Sequence, residues 1–205
     1  MVAQTSRYLG MTVGLRWTTL AVLVLASCSA QPPNPIVTKL RIPPDGGPLY
    51  ATIGGKEKKI AASAGKAWIL EGGRALAYST SAGGGFEGEG EELRLYHPAT
   101  AQDTKILGEP FEITGVKEAR SAAGKTAFLV TMEDGGLGST HIAVIDPARG
   151  KVFREDSAVF KESAAGAITV AWYKDDAWEN IASAKPYRTQ RYDLDELLRR
   201  NVIAK

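Results

Sequence analysis

The run Ala122-Ala123-Gly124-Lys125-Thr126-Ala127-Phe128-Leu129-Val130-Thr131 decides the fold class. Its first four residues are turn-forming, with glycine placed to break any regular element. Thr126–Thr131 is then an apolar, β-branched and aromatic run, too short for a helix. It does not alternate, as expected of a strand buried on both faces. Upstream lies Glu118-Ala119-Arg120-Ser121. Downstream, a glycine-rich loop leads to Ile142-Ala143-Val144-Ile145 and the turn Asp146-Pro147-Ala148.

The same order of signals appears on either side. Ala67-Trp68-Ile69-Leu70, the turn Glu71–Arg74 and Ala75-Leu76-Ala77-Tyr78-Ser79 precede a second glycine-rich loop, Leu93-Arg94-Leu95-Tyr96 and the turn His97-Pro98-Ala99. Ser163-Ala164-Ala165-Gly166, Ile168–Tyr173, a polar loop and Arg188–Asp193 form a third unit. The two Pro-Ala turns are 49 residues apart, and the turn glycines Gly73, Gly124 and Gly166 are 51 and 42 apart. In each unit the later strand alternates more and is expected nearer the outside. Val152-Phe153-Arg154 is a candidate fourth strand, and Ile36–Ile42 and Leu49–Ile53 are strands ahead of the repeats. The pattern over roughly residues 58–195 resembles the blades of β-propellers, particularly the TolB-like and WD-repeat kinds with a Gly-Lys turn before an apolar strand. Neither a Gly-His nor a Trp-Asp signature is present. The resemblance implies an all-β, propeller-like domain of antiparallel strands; a β-sandwich whose hairpins mimic repeats is the alternative. Asp195/Arg199 and Glu196/Arg200 are acid-to-base pairs four apart, with Leu194, Leu197 and Leu198 on one side, so Asp193–Arg200 is expected to form a short C-terminal helix.

The chain opens differently. Residues 1–19 carry Arg7 and Arg16 and no acid, and Leu20–Ala26 is unbroken apolar sequence. Seven apolar residues suit a signal peptide and fall far short of the roughly 20 that a spanning helix needs. Leu25-Ala26-Ser27-Cys28 follows. It resembles the lipobox of bacterial lipoproteins, which implies cleavage between Ser27 and Cys28 and acylation of Cys28. Ser29 resembles the outer-membrane sorting pattern of Gram-negative lipoproteins. The expected organisation is a signal peptide over 1–27, a lipidated cysteine and proline-rich tether over 28–35, and a single domain over 36–205. Three prolines among Pro32–Pro35 favour an extended spacer.

Removing residues 1–27 leaves 178 residues, enough for one domain with a substantial core. The whole chain has 25 Lys and Arg against 23 Asp and Glu. Without Arg7 and Arg16 it is formally neutral, which argues against a nucleic-acid partner. Cys28 is the only cysteine, so a lipidated product has no disulfide and no thiol ligand for a metal.

No cofactor is expected. Ala119–Thr126 meets a relaxed phosphate-loop pattern, but it leads into a β-type run rather than a helix, so no nucleotide is expected. His97 and His141 sit at strand ends, and His97 occupies the place that Asp146 holds one unit later, as a turn cap does. No nucleophile elbow or zinc-protease spacing is present, leaving no catalytic and no metal residue assigned. An envelope hydrolase or lyase built from scattered Ser, His and Asp is the alternative function. The loops 82–92, 133–140 and 174–180 each join the second and third strands of a unit. They carry Glu87, Glu89, Glu91, Glu92, Glu133, Asp134, Asp175, Asp176 and Glu179 against Lys174, with Phe86, Leu137 and Trp178 as apolar tips. The opposite turns hold Arg74, Lys125, Arg149 and Lys151. An acidic, aromatic-tipped face for a protein or envelope partner is therefore expected. Membership of a larger envelope assembly, with a partner strand completing a sheet, is a third expectation.

Overall fold

Antiparallel meanders make up nearly the whole domain. A computed structural model describes residues 34–203 apart from 45, 82–89, 136–137, 175–176, 179–180 and 182. Ser27 and Cys28, with the expected leader and most of the expected tether, lie outside the described residues, as do Phe86, Glu87, Glu89, Leu137, Asp175, Asp176 and Glu179. Four sheets are present. The first holds β1 (Val37–Arg41), β2 (Gly47–Ile53) and β3 (Lys56–Ala64). The second holds β4 (Ala67–Leu70), β5 (Ala75–Ser81), β6 (Glu91–His97) and β7 (Gln102–Glu109). The third holds β8 (Glu112–Arg120), β9 (Thr126–Glu133), β10 (Thr140–Asp146) and β11 (Gly150–Glu155). The fourth holds β12 (Ala158–Ala164), β13 (Ala167–Trp172) and β14 (Arg188–Asp193), followed by helix α1 (Leu194–Leu197). Each sheet keeps its strands in chain order, so every repeat unit is one sheet, and the strands ahead of the repeats form a sheet of their own. Among the described residues the four antiparallel sheets are each open, none closing on itself.

The sheets pack face to face in series, and strand parity shows how. In β5, Leu76 and Tyr78 join the cluster with Leu49, Ala51 and Ile53 of the first sheet. Ala75 and Ala77 of the same strand point the other way, to Phe128, Val130 and Met132 of β9. In β9 and β10 the remaining residues, Ala127, Leu129, Ile142 and Val144, meet Ile168, Val170 and Trp172 of β13. Small Ala75 and Ala77 opposite large Phe128 and Met132 let the facing layers interdigitate. Among the described residues no hydrophobic cluster joins the first sheet to the fourth. One expectation fails here: β10 is not an outer, alternating strand. Ile142–Ile145 is buried on both faces, because four consecutive apolar residues supply both neighbouring cores.

Two turn glycines are fixed by contacts between sheets. Gly73 has φ +91°, and a Cβ there would lie 2.5 Å from the Val37 carbonyl oxygen of the first sheet. Gly166 has φ +76°, and its Cβ would lie 2.6 Å from the Ala122 nitrogen of the third. Both positions combine a left-handed backbone with a backbone approach that only glycine permits.

Helix α1 is shorter than Asp193–Arg200. The Asp193 carboxylate caps it by accepting from the Glu196 amide at 2.9 Å, and Leu194, Leu197 and Leu198 enter the core between the third and fourth sheets. Glu196 pairs with Arg200 at 3.2 Å, as the spacing predicts. Asp195 instead accepts from the Ala123 amide of the β8–β9 turn at 3.0 Å. The Ser121 hydroxyl and that amide hold the Asp195 carboxyl below its ordinary range. Asp195 therefore locks the helix to the third sheet.

Tyr78 ties strands within the second sheet. Its hydroxyl donates to Asp103 of β7 at 2.6 Å, and Arg94 of β6 donates to the same carboxylate at 3.1 Å. Burial first, and then the bond to Asp103, push the phenol up to about 12. An unfolded tyrosine ionises near 10. The folded state therefore holds the proton more tightly, and its stability is expected to fall as pH rises from 10 through 12. Phenolate absorbance during alkaline titration should show a tyrosine delayed towards pH 12 that is lost in Tyr78→Phe.

Candidate functional site

The strand ends that carry the three acidic loops meet at one end of the array. Glu91, at the start of β6, accepts from the Ile113 amide of β8 at 2.7 Å. His141, at the start of β10, stacks on Phe111 of the β7–β8 turn with ring centroids 3.8 Å apart and planes 5° from parallel. The Tyr173 amide, just after β13, donates to Ser157 of the β11–β12 turn at 3.1 Å. Where the loops emerge, the second sheet is thus tied to the third, and the third and fourth sheets are tied to the turns that precede them.

Individual loop residues are placed unequally. Glu91 is spent on the Ile113 amide. Asp134 is half-buried at the end of β9, where its amide donates to Ser139 O and its carbonyl accepts from the Gly138 amide. Trp178 is not an exposed tip. It is 8% exposed, tilts against Tyr173 at 5.8 Å between centroids, and packs with Ala171, Val159 and Ile181. The physical cause is position: the fourth sheet has no sheet beyond it, so the β13–β14 connection folds back over its outer face. On the turn side, Lys151 is not solvated, since its ammonium bonds Glu109 at 2.5 Å with only 10% of the side chain exposed. Arg149 bonds Asp146 at 2.7 Å and donates to the Leu198 carbonyl.

A polar cluster joins this end together. Glu109 receives Lys151 and lies 3.5 Å from Arg154, whose guanidinium reaches Asp156 at 3.1 Å and lies over the Phe111 ring at 5.7 Å. Asp156 also meets His141 Nδ1 at 2.8 Å, and Ser139 Oγ meets His141 Nε2 at 3.3 Å. Ser139–His141–Asp156 therefore has the connectivity of a nucleophile, its base and the base's orienting acid. Its exposure is inverted. The Asp156 side chain is 60% exposed, whereas Ser139 and His141 are buried. A hydrolytic serine must face substrate while the acid is shielded. Here the solvent side presents the carboxylate and the hydroxyl points into the protein. The arrangement fixes the ring against Phe111 and clamps the β7–β8 and β11–β12 turns; it does not present a nucleophile. Sequence reasoning placed His141 at a strand end but had no sign of Asp156, which reaches it across the β10–β11 hairpin.

Among the described residues, no group of His, Cys, Asp and Glu is arranged to hold a metal ion, and no helix is long and apolar enough to cross a membrane. The chain matches no family model and no curated protein.

Proposed function

We propose that this chain is a lipid-anchored cell-envelope protein whose domain is an open, propeller-like array that binds a protein or another envelope component. The lipobox carries the anchor. The serial packing carries the binding role: four meanders lie face to face in chain order, and no hydrophobic cluster among the described residues joins the first to the fourth. Propellers build such meanders into rings of 4–8 blades with four strands each. Among the described residues only the two central sheets have four strands. A rigid scaffold with loops at one end and unclosed terminal sheets offers surface for recognition, whereas its one triad-like cluster is turned inward.

The test is capture from detergent-solubilised envelopes with the lipidated protein as bait. Reversing charge at Glu89, Asp134 and Asp176 together is expected to reduce capture of a specific partner at least tenfold while leaving the fold unchanged by circular dichroism. Equal capture by the variant removes the acidic end as the recognition face.

A second reading, a subunit completed by a partner strand, draws on one observation. β6 and β10 are each followed by a fourth strand, whereas β14 leads straight into α1 and ends its sheet. β14 is charged and mostly exposed, which discourages indiscriminate edge pairing and selects for an acidic strand.

A further inference from the structure

We infer that the outer face of the first sheet docks on anionic phospholipid headgroups of the membrane that holds the anchor. This rests on the lipid anchoring proposed above.

Register places the face. Leu49, Ala51 and Ile53 point into the core, so Tyr50 and Thr52 point out. Residues directly opposite each other share a side of the sheet. Arg41 and Lys59 flank Tyr50, and Lys39 and Glu57 flank Thr52. Lys39, Arg41 and Lys59 are exposed, as are Lys56 and Lys58 on the same edge strand. Of the five bases in the three strands, Lys56 and Lys58 stand opposite core-facing Ile53 and Ala51, so this face carries Lys39, Arg41 and Lys59 with one acid, Glu57. That acid is occupied by Arg41 through two bonds, of 3.1 and 2.9 Å. A chain that is neutral after cleavage at Cys28 places three bases and one acid on this face, leaving 20 bases against 22 acids elsewhere. The face also carries an interfacial pair, with the Arg41 guanidinium 4.2 Å from the centroid of the Tyr50 ring.

Two further observations select a bilayer as the occupant. Of the terminal sheets, the fourth is covered on its outer face by Trp178 and its neighbours, while the first presents this charged row. The basic sheet also begins immediately after the tether. Eight extended residues reach about 25 Å, so the face is held close to the headgroups at high effective concentration. Bases near an anionic leaflet attract it with a strength that salt screens. A neighbouring polybasic patch is a familiar second signal beside an acyl chain.

The experiment uses the full lipidated protein in vesicles of phosphatidylcholine alone or mixed with phosphatidylglycerol. Lysine acetylation by an N-hydroxysuccinimide ester is read site by site by mass spectrometry. Lys39 and Lys59 are expected to react roughly tenfold more slowly in the anionic vesicles, with protection lost at high salt and Lys161 unchanged as reference. Lys39→Glu should remove the protection of Lys59, and Lys59→Glu that of Lys39. Equal rates in both vesicles overturn the inference. Protection in phosphatidylcholine that grows with protein density assigns the face to a second copy and also overturns it. The mass of the N-terminal peptide reports lipid on Cys28 independently. If Cys28 is bare, flotation with phosphatidylglycerol vesicles that needs Lys39 and Lys59 keeps the face and removes the anchor, and failure to float removes both.

Discussion

Glu109→Gln is expected to destabilise the domain by about 3–5 kcal/mol, the cost of leaving a buried charge without its partner. Glu109 ends β7 and Lys151 lies in β11, so their 2.5 Å contact is a bond between the second and third sheets. Only 4% of the glutamate side chain and 10% of the lysine side chain are exposed. A glutamine fills the same space and accepts a hydrogen bond but supplies no charge. Arg154, 3.5 Å from the same carboxylate, loses part of its compensation too. Lys151→Met should cost a similar amount, because the stranded charge is then the carboxylate, partly relieved by Arg154. The double variant Glu109→Leu/Lys151→Met removes both charges and should recover most of the loss, since an apolar pair of similar volume replaces a buried ion pair at little net cost. Urea unfolding of the three variants checks this. Additive losses in the double variant would mean that the two side chains act independently.

Cys28→Ala is expected to abolish stable membrane association. Each buried methylene of an acyl chain contributes about 0.8 kcal/mol, and one chain alone gives only marginal binding. Loss of all acyl chains together removes far more than the domain's surface charge supplies. Detergent phase partition should move the protein from the detergent phase to the aqueous phase, with the N-terminal peptide mass separating processed protein from uncleaved precursor. Unchanged partition of a processed Cys28→Ala product would refute lipid anchoring.

How much could be read in advance depended on the range of the interaction. Buried central strands announce themselves, because Ala75–Ser79, Thr126–Thr131 and Ile168–Trp172 lack alternation and follow turn glycines; these became β5, β9 and β13. The fourth strands were harder. Gln102–Glu109 begins with polar, exposed residues, and only its end enters the core, so local pattern says little about β7. Ile142–Ile145 was misjudged because its burial depends on a sheet on either side. The helix was legible from its own residues, while the bond of Asp195 to Ala123 joins positions 72 apart in the chain. Trp178 was misplaced for the same reason. An aromatic in a polar loop resembles a binding tip until the uncovered sheet beneath it is known. The Ser139–His141–Asp156 cluster joins the two open ends of the β10–β11 hairpin, and no spacing rule marks it.

Serial packing also determines how the molecule carries load. Tension on the N-terminus enters at β1, an edge strand of five residues paired only with β2. Among the described residues the first sheet shares one hydrophobic cluster with the second and none with the third and fourth. A pull would therefore peel away β1–β3 while the other three sheets kept their own cores. Residues 36–64 would then reach a length of roughly 100 Å at about 3.4 Å per residue. In a protein held by a lipid at Cys28, the first sheet would act as a mechanical fuse, lengthening the proposed tether under strain and leaving the remainder of the domain folded.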